Sequence, residues 1–251
     1  METITSRTNP LVARFRKLAA DRKLRRREGL MVCEGPKMLR EALQWGFLPE
    51  AALVTEDLPL PAATRAARVP EDLLRSVAPT QTPQKVLFLA PLPRADLPET
   101  LPGKRYLVLD GLQDPGNLGT LWRTADAFGA DGLLLLPGCA DPWSPKTLRA
   151  TMGACFRLPV WEAPLDRVKA ALDAAGLPLY AAALRDDTLD LRDLDARRWA
   201  VAVGSEGRGV SQALLEACAA TVKIPMTDRC ESLNAAVAGA VLLWELARRD
   251  L

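Results

Sequence analysis

Ser232-Leu233-Asn234 follows a polar loop, Thr227 to Glu231, and precedes an apolar run of small residues, Ala235 to Leu243. A hydroxyl and a carboxamide at the mouth of a helix lie beside backbone N–H groups that lack helical partners. Such a pair can hold a polar ligand, or it can simply cap a core helix. Two further stretches carry groups of the same kind. Asp110 to Thr120 is rich in Gly, Pro and Asn, and Arg123 lies one helical turn beyond Gly119. A backbone-hugging loop followed by an arginine can clamp a phosphate or carboxylate. It can equally be an ordinary strand-to-helix turn with a surface arginine. Gly204-Ser205-Glu206-Gly207-Arg208-Gly209 places three glycines after an apolar strand, which lets a ligand approach closely. Glu206 can orient a partner there or stand as a solvated acid. The pattern is not GxGxxG, and no phosphate-loop lysine follows.

The composition excludes several chemistries. The 251-residue chain has no histidine, which removes the commonest general base, a Ser-His-Asp triad and imidazole metal ligands. Its five cysteines are scattered without CxxC spacing, so neither zinc nor a disulfide framework is expected. No run of eighteen apolar residues occurs, and the first residues lack the apolar stretch of a signal peptide. A soluble cytoplasmic protein, with no membrane span and no metal, is the expectation.

The elements that must position these loops alternate. Strands are expected at Leu30–Glu34, Ala51–Thr55 and Val86–Ala90, with helices between them, including Ala62–Arg68 and Glu71–Val77. The proline-rich stretch 91–103 reads as a linker. Beyond it, strands at Arg105–Asp110, Gly132–Leu136, Pro159–Trp161, Leu179–Ala183, Trp199–Val203 and Thr221–Ile224 alternate with helices. This pattern predicts a parallel sheet covered on both faces. Loops at the carboxyl ends of such strands gather on one side, where ligands bind. The final helix, nearly free of charge until Glu245, should be buried on nearly all sides.

Charge is unevenly distributed. Residues 1–40 carry eleven Lys/Arg against four Asp/Glu, a net +7, while the remainder is −5. A helix running from Arg14 to Arg27, with Arg14, Arg16, Lys17, Arg22, Lys23, Arg25, Arg26 and Arg27, would grip the phosphates of RNA or DNA, or form a solvated face.

Taken together, the three stretches resemble the signature motifs of the SpoU (TrmH-like) branch of the SPOUT RNA methyltransferases. The matching residues are Asp114-Pro115-Gly116-Asn117-Leu118-Gly119 with Arg123-Thr124-Ala125, Gly204-Ser205-Glu206-Gly207 with Gly209, and Ile224-Pro225-Met226 with Ser232-Leu233-Asn234. Their order and spacing agree over about residues 105–246. The N-terminal part is similar to that family's substrate-binding domain through Ile4, Ser6, Asn9-Pro10, Leu18, Glu34-Gly35 and Glu41-Ala42. Two features depart from the family pattern: Thr227 stands where Gly is frequent, and Ala235-Ala236 replace the usual Val-Ser.

The resemblance implies an α/β fold in two parts. Residues 1–90 would form a small ribosomal-protein-like RNA-binding domain, and 104–251 a parallel-sheet domain with a deep trefoil knot. It also implies a homodimer that binds S-adenosylmethionine and methylates a ribose 2′-hydroxyl of RNA, most naturally ribosomal RNA. A tRNA substrate, or a non-catalytic RNA-binding or ribosome-assembly role, are the alternatives. By position, Gly204, Ile224, Met226 and Leu233 would hold the cofactor. Arg123, Asn117, Glu206, Ser232 and Asn234 would form the catalytic set, with Glu206 orienting Arg123 or the first loop.

Overall fold

The computed structural model describes residues 1–78, 82–93, 96–185 and 187–249. Arg94 and Ala95, within the expected linker, lie outside them. By packing the chain forms two units, Met1–Arg94 with Asp141–Arg157, and Ala95–Ala140 with Leu158–Leu251. Among the described residues no helix is long and apolar enough to cross a membrane.

The first unit begins with strand β1 (Glu2–Thr3) and helix α1 (Pro10–Ala20). Asn9 caps α1 by accepting from the Leu11 N–H at 2.9 Å, and Pro10 takes the first helical position, where its missing N–H costs nothing. The expected single basic helix is two. Asp21 ends α1 and caps α2 (Arg22–Glu28), accepting from the N–H groups of Lys23 and Leu24 at 2.8 and 3.1 Å. Gly29, at φ 69°, closes α2. The unit continues through β2 (Leu30–Glu34), α3 (Pro36–Gln44), β3 (Ala51–Val54), β4 (Arg65–Arg68), α4 (Glu71–Val77) and β5 (Val86–Pro91).

The sheet order is β1-β4-β3-β5-β2, with β5 antiparallel to both neighbours and the other pairs parallel. The helix expected over Ala62–Arg68 is thus corrected to strand β4. Its alanines favour helix, but pairing on both sides and full burial of Ala67 outweigh that weak local preference.

Two of the expected RNA contacts change role. Arg25 is buried, at 3% exposure. Its Nη1 donates to the carbonyls of Leu18 and Ala19 at 2.6 and 3.0 Å, capping the end of α1, and its Nη2 donates to Asp141 Oδ2 at 2.5 Å. It is therefore a structural residue and cannot reach RNA. Arg14, half-buried, pairs with Glu28 at 2.9 Å and with Glu50 at 2.6 Å. Together, desolvation of Arg14, which lowers its pKa, and the opposing bonds to these two carboxylates leave the guanidinium pKa raised. Arg16, Lys17, Arg22, Lys23, Arg26 and Arg27 are exposed.

Arg25→Ala should destabilise the protein by about 3–5 kcal/mol, because Asp141 would stay largely buried without its main partner. Arg22 at 3.8 Å would offset part of that loss. Lys23→Ala, on the exposed side, should change stability by no more than about 0.5 kcal/mol. Urea unfolding of the two variants measures the contrast; equal midpoints would refute the structural role.

The segment 141–157 lies in sequence among the strands of the second unit, yet it packs with the first. Its helix α6 (Pro145–Thr151) covers β2. Arg149 reaches Glu34 at 3.6 Å, Arg157 pairs with Glu41, and Phe156 stacks on Phe47 at 5.1 Å. Gly153, at φ +103°, lets the Glu41 side chain lie where a Cβ would meet its Cγ at 2.6 Å. Deleting residues 1–90 removes all these partners. Trypsin should then cut at Lys146, Arg149 or Arg157 in the truncated protein at concentrations that leave the full chain intact there. Equal protection would contradict this packing.

The second unit holds β6 (Arg105–Asp110), α5 (Pro115–Ala127), β7 (Gly132–Leu135), β8 (Val160–Glu162), α7 (Leu165–Ala174), β9 (Leu179–Ala182), β10 (Leu189–Asp190), β11 (Trp199–Gly204), α8 (Gln212–Ala217), β12 (Ala220–Lys223) and α9 (Ala235–Ala247). Its seven strands are all parallel, in the order β10-β12-β9-β11-β6-β7-β8. β6 and β11 are buried along almost their whole length, as expected for a sheet covered on both faces. Their register pairs Asp110 with Gly204, so the loops that follow leave the sheet at one level. The short β10 was not expected.

Helices α5 and α9 pack closely, since a Cβ on Gly239 would lie 2.3 Å from Leu121 Cδ2. The last helix departs from expectation: Val237, Val241 and Trp244 are 51%, 36% and 50% exposed. One whole apolar stripe of α9 is uncovered in the single chain.

Candidate functional site

Each of the three loops is fixed by its own chemistry before it meets the others. After β6, Gly111 takes a left-handed turn (φ +65°) and the buried Leu112 anchors the loop. Asp114 then caps α5, accepting from the Asn117 N–H at 2.7 Å. Asn117 is thereby held in the first turn of the helix. After β11, Ser205 and Gly209 exchange two backbone hydrogen bonds, at 2.9 and 3.1 Å, and close a tight loop around Glu206. This loop is tied to the first by Asp110 Oδ2, which accepts from the Ser211 N–H at 2.7 Å. In the third loop Asn234 caps α9, its Oδ1 accepting from the N–H groups of Ala236 and Val237 at 2.9 and 3.3 Å.

The three loops meet at Asn117. Its Nδ2 donates to Glu206 Oε1 at 2.5 Å, and its Oδ1 accepts from Asn234 Nδ2 at 3.3 Å. The direction of this chain is forced. Asn234 must point its oxygen at the two backbone N–H groups, so its NH2 faces Asn117. Asn117 must then present its own NH2 to Glu206, which as a carboxylate can only accept. A carboxamide can accept on one side and donate on the other in this fixed order.

Beside the junction is a cavity of about 290 Å³. Gly204, Ile224, Met226 and Leu233 all line it, as do Glu206 and Ser232. Val203, Ala235 and Ala238 give it an apolar floor, while Ser205, Glu206 and Ser232 bring polar groups to its rim. Ala182 to Leu184, at the carboxyl end of β9, form a wall that the sequence reading did not include. The signal was available, since β9 lies between β11 and β12 and its end must share their side of the sheet.

Asn117 and Asn234 face a second, apolar groove of about 590 Å³ with Thr120, Phe128, Val237, Val241 and Trp244. Arg123 is exposed on α5 and lines neither cavity. Glu206 bonds to Asn117, so it orients the first loop and not Arg123. Cys139, just past β7, supplies no nucleophile. Burial pushes its pKa up to about 11, and its thiol donates to the Leu109 carbonyl at 3.2 Å.

Comparison with known proteins gives consistent matches. The model described as the SpoU rRNA Methylase family matches residues 104–244, and the MRM3-like substrate binding domain matches residues 9–88. The 23S rRNA (guanosine(2553)-2′-O)-methyltransferase RlmP of Bacillus subtilis (strain 168) is 34% identical over 250 residues, covering 98% of this chain and 99% of the relative. An AdoMet-bound rRNA methyltransferase from Sinorhizobium meliloti superposes with a TM-score of 0.90 at 32% identity, covering 100% of this chain and 98% of that one. The SpoU methyltransferase AviRb from Streptomyces viridochromogenes, solved in complex with AdoMet, gives 0.83 at 28% identity over 96% of this chain and 98% of that one.

Proposed function

Because this chain belongs to the SpoU rRNA Methylase family, we propose that it transfers a methyl group from S-adenosylmethionine to a ribose 2′-hydroxyl of ribosomal RNA. The observation that carries this reading is the junction of Glu206, Asn117 and Asn234 beside a cavity whose chemistry suits the cofactor. Val203, Ile224 and Leu233 offer apolar surface to an adenine ring. Ser205, Glu206 and Ser232 offer acceptors to hydroxyls, an ammonium and a sulfonium.

When bound, the cofactor supplies an already electrophilic methyl, so the protein's task is alignment and exclusion of water. In this reading the backbone at Gly204, Ile224 and Leu233, with Met226, holds the cofactor. Glu206 and Asn234 fix Asn117, which locks the three loops to one geometry. Ser232 and Asn234 steady the third loop against RNA. Arg123 pairs with the phosphate next to the target ribose. A guanidinium stays protonated and has no acceptor, so Arg123 positions and stabilises charge and does not take the hydroxyl proton.

The same reading makes residues 1–90 the RNA-gripping part, through Arg16, Lys17, Arg22, Lys23, Arg26 and Arg27, with an affinity that falls steeply with salt. It has the chain after β12 threaded as a trefoil knot, and a homodimer closing over the uncovered stripe of α9. In this reading the setting is cytoplasmic. Calorimetry with S-adenosylmethionine should give one site per chain. A protein that binds RNA but gives no heat with the cofactor would instead be a non-catalytic binder. Mapping 2′-O-methylation in ribosomal and transfer RNA, with and without the gene, identifies the substrate.

A further inference from the structure

A third cavity lies on the other side of the Ser205–Gly209 loop. It measures about 410 Å³ and is formed by the carboxyl ends of β6, β7 and β11. That volume falls in the roughly 300–1,000 Å³ range of small-ligand sites. It is roomy because four of its lining residues, Gly111, Gly138, Gly207 and Gly209, have no side chain. A Cβ at Gly111, Gly207 or Gly209 would meet nothing within 4 Å, so no neighbouring group fills the space above them.

The polar groups of this cavity fall into two sets. Asp110 is engaged with the Ser211 N–H, and Glu206 with Asn117. Gln113 and Arg208, by contrast, make no side-chain hydrogen bond or ion pair among the described residues, and both are exposed. A carboxamide can donate and accept at once, which is what reading a base edge needs. A guanidinium free of carboxylates can stack its plane on a base.

Ser205, Glu206, Gly207 and Gly209 line both this cavity and the one beside the three-loop junction. Among the described residues this loop is the wall that separates the two cavities. The nucleobase of a methylated nucleotide is joined to its ribose only a few bonds from the reacting oxygen. A ribose brought up to the cofactor at the mouth of the first cavity therefore carries its base close beside it, and single-stranded RNA readily splays a base out of the stack. We propose that the Gly111–Gly138–Arg208 cavity receives the nucleobase of the ribonucleotide being methylated, with Gln113 reading its edge and Arg208 covering its face. The proposal rests on the methyl-transfer reading above and adds the specificity pocket to it.

The test uses the full-length protein with Gln113→Ala and Arg208→Ala. Cofactor affinity is read by calorimetry. Methylation is followed on RNA from cells lacking the gene, and then on transcripts in which the mapped target base is replaced by each of the others. Both variants should bind S-adenosylmethionine within about 2-fold of wild type, since neither residue lines the cofactor cavity. Both should methylate at least about 10-fold more slowly at saturating RNA, the scale of one lost bidentate base contact. Wild type should reject the replaced bases, and Gln113→Ala should discriminate among them far less. Wild-type rates and wild-type base preference in both variants would overturn the proposal. So would a loss confined to KM with base preference unchanged, which would mark ordinary phosphate contacts. A wild-type protein that neither binds the cofactor nor leaves a mark would sink the methyl-transfer reading itself, and this proposal with it.

Discussion

Gly204→Ala should abolish cofactor binding, with affinity falling by more than about 100-fold. A Cβ at this position would lie 2.0 Å from the Gly209 carbonyl carbon, 2.1 Å from its oxygen and 2.3 Å from the Val210 nitrogen. All three are backbone atoms, so no flexible side chain can swing aside. Relief requires breaking the paired hydrogen bonds of Ser205 and Gly209 and opening the loop. Two such bonds, at about 1 kcal/mol each net, supply most of the roughly 2.7 kcal/mol that a 100-fold loss represents, and the displaced wall of the cavity adds to them. The strand itself should survive, because Gly204 is its last residue and β11 pairs on both sides before it. Calorimetry with S-adenosylmethionine, alongside a far-UV spectrum, separates loss of the site from loss of the fold. Normal affinity in a folded variant would remove this loop from the cofactor site.

Arg123→Ala should lower the rate of methyl transfer by about 100-fold or more, while cofactor affinity stays within about 2-fold. The two halves of this expectation have different sources. Arg123 lines neither cavity, so its removal leaves the cofactor's surroundings intact. Among the described residues it has no carboxylate partner, so its charge is not already neutralised by the protein. A single donor aimed at developing charge is worth about 10²–10³ in rate. Arg123→Lys keeps the charge but loses the planar fork, and should recover only part of the rate. Single-turnover methylation with saturating cofactor measures all three proteins. Undiminished transfer by the alanine variant would end the proposed role, and a parallel loss of cofactor affinity would reassign it.

The three loops were legible because their chemistry is local. Glycines, prolines and capping side chains mark a strand end and a helix start within a few residues, and a parallel sheet brings such ends together. The central role of Asn117 was not legible. Its bonds to Glu206 and Asn234 join residues far apart in sequence, and they meet only through the register of β6 against β11 and the packing of α9 on α5. The basic stretch misled for a related reason. A run of arginines reads as one solvated face, and nothing local distinguishes Arg25, whose partner Asp141 lies far along the chain, from the exposed Arg26. Strand β4 was missed because Ala66 and Ala67 suit a helix, and only pairing with β1 and β3 overrides that preference. The uncovered stripe of α9 was hidden by composition, since apolar residues such as Val237, Val241 and Trp244 look alike whether they meet the core or a partner.

The home of residues 141–157 has a consequence for how the chain is born. Ribosomes release domains from the N-terminus onward at roughly 5–20 residues per second. The opening ninety residues of this protein leave the tunnel without the helix that covers β2 and without the carboxylate that Arg25 needs. They must wait several seconds, until β6 and β7 have also emerged, before their own packing can close. Maturation of the two halves is thereby overlapped in time, and a stalled chain ending before residue 157 would expose an unfinished first unit to chaperones and proteases.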